Sequence, residues 1–459
     1  LAAGVYAVRT EFFMGAFSMD TFTILAVLIS LTAILTYFNH RWLKINQTIG
    51  VMVAGLSIAI FLMILRGLGS DVPQKVTDWI SHLDFQHLLL DGMLGFLLFA
   101  GSLQVDMKML LKRKWQVGIY ALVGVVGSAF LIALVLYPVS KMIGLNLAFM
   151  DCLLFGALIS PTDPIAVLAI LRKVGAPKDL ETDITGESLF NDGIGVVMFI
   201  IIAKLMTGTN VGVGTAMGLF GAEALGGIGI GLVLGIVCSR IIRSAEEASI
   251  QVLITLAVAS AGYFAAQKLH TSGPLAMVVA GIIIGNHENW LTRHSRIALD
   301  SFWDIIDKVG NAMLFMLVGL EVLVIARDAL PELPKCILAG AVAIPIVLLA
   351  RAISLYPPVK LLGMISPPHK HTVWILTWGG LRGGLPLAMA LCIPTVADQV
   401  NKMKIHPDHV TDRAMLMMMT YFVVIFSIVV QGLTIKNVIS RGLEKEAKTS
   451  KHRSQKKHE

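Results

Sequence analysis

Apolar stretches of about twenty residues recur along this chain, separated by short polar segments that hold most of its charge. About 20 mostly apolar residues make one helical membrane crossing. The pattern predicts thirteen crossings, near 21–38, 47–67, 86–104, 115–138, 150–172, 188–207, 214–243, 250–267, 272–286, 303–326, 336–356, 372–396 and 413–438. Among them 214–243 is long and glycine-rich, and 272–286 is short. The expected fold is an all-α polytopic membrane protein.

Two crossings are interrupted. Residues 159–171 read ISPTDPIAVLAIL, with Pro161, Thr162, Asp163 and Pro164 in the middle. Each proline removes a backbone donor and clashes with the preceding turn. A carboxylate at bilayer depth costs at least about 2.5–3.5 kcal/mol on insertion scales. Residues 377–386 read TWGGLRGGLP, with glycines, a proline and Arg382 inside the twelfth crossing. Irregular backbone at that depth is tolerated only against protein or a wet cavity.

Dividing the crossings into six, a linker and six puts each interruption in the fifth crossing of its half. The halves start on opposite faces, so they read as inverted repeats. Interrupted helices at matching positions of such repeats point to a transport site near the midplane. The half-helix ends would present opposed dipoles, Asp163 offsetting the positive end and Arg382 the negative one.

Composition supports the membrane reading. The chain is 56% hydrophobic and 15% charged, with a mean hydropathy of +0.77, whereas soluble domains are about a quarter charged. The net charge of +7 lies in short loops and a tail, which argues against a nucleic-acid partner. With the C-terminus inside, 22 Lys and Arg fall on the cytoplasmic side and 11 outside, favouring an outer N-terminus and a cytoplasmic C-terminus. The expected domains are an N-terminal extension over 1–20, a transmembrane domain over 21–440, and a basic cytoplasmic tail over 441–459 lying against anionic lipid. The four cysteines show neither metal spacing nor a paired framework and read as packing residues.

The third informative word is GESLFNDG at 186–193. Helical spacing pairs Glu187 with Asn191, and Ser188 with Asp192, at i and i+4. One helix face therefore carries two carboxylates, an amide and a hydroxyl, and oxygen ligands suit hard cations. Thr162 could add another oxygen from the break. A second possibility is an N-cap cluster, with Glu187 and Ser188 near a helix start. Desolvation raises the pKa of a buried aspartate and a nearby cation lowers it. If Asp192 ends near neutral, a proton and an alkali ion compete for it. Arg351 is an otherwise unpaired cation in the eleventh crossing, so a Glu187–Arg351 ion pair would relieve both groups. The segment 300–308 suggests only a local Asp304–Lys308 pair at i, i+4.

These words resemble the sodium/proton exchanger branch of the monovalent cation/proton antiporters. The resemblance is carried by SPTDPIAV at 160–167, GESLFNDG at 186–193, SGPLAMVVAGIIIGN at 272–286, RAISLYP at 351–357 and WGGLRGG at 378–384, in order across roughly 21–440. It implies a homodimer in the cell membrane that exchanges Na+ or Li+ for H+ without a cofactor. It implies Asp192 as the carrier of Na+ and proton, Thr162 and Ser188 as ligands, and Asp163 and Asn191 beside the site. Arg382 would neutralise the helix crossing and Glu187 would pair with Arg351. Asn before the aspartate, as Asn191 stands here, implies electroneutral exchange. One departure is Ala100 in LLFAG at 97–101, where many relatives carry an acid. An intramembrane aspartyl hydrolase would need a GxGD-type word, which the chain lacks. A channel would not need inverted broken crossings.

Overall fold

A computed structural model describes residues 21–45, 47–69, 92–206, 213–286, 293–329, 333–363, 372–393 and 413–440, together with Gln74 and Val76. The expected 1–20 extension, the 441–459 tail and the first part of the third crossing lie outside the described residues.

The described residues are helical throughout apart from short turns and the two interruptions. The first two crossings are α1 (Thr21–Phe38) and α2 (Gln47–Gly67). The third is α3 (Leu94–Leu103), followed by a short helix α4 (Met107–Lys112). Then come α5 (Lys114–Met142), α6 (Phe149–Ile159), α7 (Ile165–Val174), α8 (Lys178–Met206) and α9 (Val213–Ser244). The eighth crossing is α10 (Ala248–Ala257), a π turn and α11 (Tyr263–Lys268). It is followed by α12 (Gly273–Gly285), α13 (Arg293–Ala329) and α14 (Leu333–Leu362). Last are α15 (Thr372–Gly379), α16 (Leu385–Leu391) and α17 (Arg413–Phe426), which runs through a π turn to Ser440.

Both interrupted crossings are broken helices. The fifth splits into α6 and α7, the twelfth into α15 and α16. Several other helices outrun their apolar stretches. α8 starts at Lys178 and α13 at Arg293, each well before the apolar run. Hydropathy marks the lipid-depth part of a helix, whereas backbone hydrogen bonding carries it on into polar turns. The early start of α8 puts Glu187 and Ser188 deep inside the helix and removes the N-cap alternative for GESLFND.

The residues form two compact units. One holds α1, α2 and the stretch Ala312–Leu323 of α13. In it Thr32 Oγ1 donates to Met316 Sδ at 3.3 Å. Backbones meet closely at Gly55 and Gly319, where a Cβ on Gly319 would lie 2.9 Å from Leu56 N. Small residues at such crossings are the usual route to tight packing between membrane helices.

The other unit holds the remaining helices. α5 packs on α6, α8 and α14, while α12 packs on α3 and α9. Tyr120, Val167, Leu171, Ile184, Leu355 and Ile375 belong to one buried cluster drawn from α5, α7, α8, α14 and α15. Met415, Met417 and Met419 of α17 are buried, so the methionine run serves packing. The cysteines are free; Cys152 and Cys336 are buried, and Cys238 and Cys392 partly so.

The Gly319→Ala variant should lower the thermal unfolding midpoint of the purified protein in detergent, since overpacking costs about 1–3 kcal/mol. An unchanged midpoint would show that the helices separate there without loss.

Candidate functional site

Breaking a helix strands backbone donors and acceptors, and in a membrane core each stranded group costs several kcal/mol. The two breaks solve much of this for each other. The Asp163 N–H donates to Leu381 O at 2.7 Å, so the interruptions meet as a two-residue antiparallel bridge. Arg382 threads the crossing. Its Nε donates to Ile159 O, at the C-terminal end of α6, at 2.9 Å. Its Nη1 donates to Gly380 O. Its own backbone N–H donates to Ser427 Oγ at 2.9 Å, and Gln431 Nε2 donates to Trp378 O at 3.1 Å. A guanidinium thus stands where a helix C-terminus leaves negative carbonyl charge. The approach is close: a Cβ on Gly383 would lie 2.6 Å from Asp163 Oδ2.

α8 supplies the rest of the break's partners. Asn191 Oδ1 accepts from the Thr162 N–H at 3.3 Å, and its Nδ2 donates to Thr162 Oγ1 at 2.8 Å and to Glu187 Oε1 at 3.2 Å. Ser188 Oγ donates to Thr162 O. These groups are all buried. Asn191 and Ser188 therefore serve as the missing turn for Thr162, a role that spacing alone did not distinguish from ion ligation. The close passage is set by Gly195, which faces the Pro161 ring with no room for a Cβ.

Glu187 lies against Arg351 of α14. Arg351 Nη2 sits 2.7 Å from Glu187 Oε1 and 2.9 Å from Oε2, and reaches Thr162 Oγ1 at 3.5 Å. Both side chains are buried. Arg351 Nε and Nη1 and Arg382 Nη2 find no acceptor among the described residues. A small cavity beside the break is lined by Thr162, Asp163, Glu187, Ser188 and Gly380; Asp192 does not line it.

Asp192 differs from every other member of its helix face. It is half-buried, and among the described residues it makes neither a hydrogen bond nor an ion pair. The charges it feels are those of Asp163 and Glu187, both negative. Among the described residues no three His, Cys, Asp or Glu side chains converge on one metal-sized point. A cation at Asp192 would complete its shell with neutral oxygens.

One polar pair was not legible as such in the sequence. Asp183 is buried and accepts two hydrogen bonds from Arg113, with Nε–Oδ1 at 2.8 Å. Those bonds raise the guanidinium's pKa above its ordinary value. The signal lay in the i, i+4, i+8 row Asp183, Glu187, Asn191, but its partner 70 residues away could be found only in three dimensions. The expected Asp304–Lys308 pair is present at 2.5 Å and exposed, where such pairs contribute little. Ala100 is fully buried.

Removing one partner of a buried ion pair leaves the other uncompensated, at a cost of about 3–5 kcal/mol. Arg351→Ala should therefore sharply reduce folded protein in membranes, and adding Glu187→Gln should restore part of it, as read by yield and thermal midpoint in detergent. No restoration would show that the pair is not what Arg351 holds.

A family model described as "Sodium/hydrogen exchanger, transmembrane" matches residues 12–441. The chain is 39% identical over 426 residues to the Na(+)/H(+) antiporter NhaP of Pseudomonas aeruginosa, covering 91% of this chain and 96% of that protein. It is 31% identical over 425 residues to the Na(+)/H(+) antiporter NhaH of Halobacillus dabanensis, again covering 91% and 96%. Among solved structures it resembles the sodium proton antiporter MjNhaP1 from Methanocaldococcus jannaschii at pH 8, with a TM-score of 0.67 and 19% identity over 90% of this chain and 96% of that one.

Proposed function

Because this chain belongs to the sodium/hydrogen exchanger family, we propose that it exchanges Na+ for H+ by letting both compete for the carboxylate of Asp192. The observation that carries this reading is the isolation of that group. The other polar groups on its face of α8 are engaged: Glu187 with Arg351, and Ser188 and Asn191 with Thr162. Asp192 is half-buried and lacks a partner among the described residues. A carboxylate short of water and of counter-charge binds whichever cation is offered, because either one relieves the same cost.

Competition suffices for coupling. Loaded with Na+ or with H+, the site is neutral and can pass between the two faces by alternating access. Empty, it carries an uncompensated charge that is costly to move through a low dielectric. The exchange is electroneutral in this reading. Glu187 is offset by Arg351, Asn191 brings no charge, and so one Na+ or Li+ replaces one proton. Thr162 and Ser188 supply neutral oxygens, and Asp163 stands beside them at the crossing that Arg382 neutralises. Residues 21–440 form the exchanger domain. It works as a homodimer in the cell membrane, with the N-terminus outside and the basic tail in the cytoplasm.

Asp192→Asn should abolish Na+-dependent pH change in proteoliposomes loaded with a pH dye while leaving yield and monodispersity intact; transport by this variant would remove Asp192 as the carrier. The wild-type signal should persist under a valinomycin–potassium clamp, and its loss would contradict electroneutrality.

The pH dependence has a definite sign. As pH falls, protons fill Asp192 first, so apparent Na+ affinity should weaken, approaching about tenfold per pH unit once the site is mainly protonated. An affinity flat with pH, measured over a sodium series, would contradict a shared site.

A further inference from the structure

In an unbroken helix the Arg382 N–H would donate to the Trp378 carbonyl, four residues earlier. The break in the twelfth crossing parts this pair, and the last crossing takes up both ends. Ser427 Oγ accepts from the Arg382 N–H at 2.9 Å, and Gln431 Nε2 donates to Trp378 O at 3.1 Å. One helical hydrogen bond is thus divided between two side chains of another helix. The Trp378 ring is tied to that helix as well, its Nε1 donating to Thr434 Oγ1 at 2.9 Å. Ser427, Gln431 and Arg382 are buried.

Ser427 and Gln431 are the first and last residues of the π turn, where the Gly432 N–H reaches back to Ser427 O. Such turns are rare and recur at functional sites. A buried hydroxyl earlier on the same helix behaves otherwise: Thr420 Oγ1 donates to Leu416 O of its own helix at 2.7 Å.

What the two side chains hold is the crossing. Arg382 carries the guanidinium that reaches Ile159 O, and Leu381 O accepts from the Asp163 N–H. Thr162, beside Asp163, is bonded to Ser188 and Asn191 of α8, and Asp192 follows Asn191. Direct bonds therefore run from the last crossing to the neighbour of the proposed carrier.

We propose that Ser427 and Gln431 are positioning residues for exchange, holding apart the Trp378–Arg382 pair so that Leu381 and Arg382 seat against the fifth crossing. This rests on Asp192 being the carrier. Losing either side chain leaves a buried backbone group unsatisfied, so fewer chains hold the crossing formed. Apparent affinity falls with that fraction, and saturating cation restores it.

The test is Na+-dependent proton movement by the full chain in proteoliposomes over a sodium series at alkaline pH, where protons compete least. Ser427→Ala should raise the half-saturating Na+ concentration about fivefold while the maximal rate stays within about twofold. Ser427→Thr, which keeps the hydroxyl, should return affinity to within about twofold of wild type. Gln431→Met, which keeps the length and loses the donor, should behave as Ser427→Ala does. Thr420→Val should leave affinity unchanged. An unchanged half-saturating concentration in Ser427→Ala or Gln431→Met overturns the proposal, as does a Ser427→Thr variant as weak as Ser427→Ala or an equal loss in Thr420→Val. Failure of both Ser427→Ala and Gln431→Met to yield folded protein overturns it too, since the bonds would then serve folding alone. Transport by Asp192→Asn would instead overturn the carrier reading, so the two failures are distinguishable.

Discussion

The architecture around the site depends on one exchange of hydrogen bonds between two broken helices. The Asp163 N–H finds Leu381 O, and the Arg382 side chain finds the carbonyls of Ile159 and Gly380. Neither break could persist alone at membrane depth, because each strands backbone groups that lipid cannot satisfy. Meeting, they form a short polar crossing inside protein. Everything near it is arranged to serve that crossing: Ser427 and Gln431 of the last helix, and Ser188 and Asn191 of α8, complete bonds that an unbroken helix would make for itself.

The same crossing organises charge. Arg382 opposes carbonyl dipoles, Arg351 opposes Glu187, and Arg113 opposes Asp183. Pairs of this kind add little net stability against an apolar alternative, since desolvation consumes much of the attraction. They do fix which helices lie together, and they leave few charges unassigned. Asp192, half-buried and without an ion-pair partner among the described residues, is one of these.

This arrangement suits an exchanger better than a hydrolase or a channel. A hydrolase of the aspartyl type needs two carboxyls sharing one proton. Here Glu187 is committed to Arg351, and among the described residues no second carboxyl hydrogen-bonds to Asp192. A channel needs a continuous wet path with weak multiple sites. In the proposed reading one cation at a time neutralises Asp192, which calls for neither a dyad nor an open path.

Much of this was decided by local sequence. Hydropathy located the crossings because lipid demands about twenty apolar residues and tolerates no stranded backbone. Pro161, Pro164 and the glycines around Arg382 marked the breaks because they cannot continue a helix. The spacing of GESLFNDG put its polar groups on one face because 3.6 residues make a turn. What local pattern could not decide was who meets whom. That the breaks pair through Leu381, that Asn191 and Ser188 are spent on Thr162, and that Asp183 finds Arg113, all depend on segments distant in sequence. Hydrophobic periodicity tells a residue which way to face. Only packing tells it what it will find there.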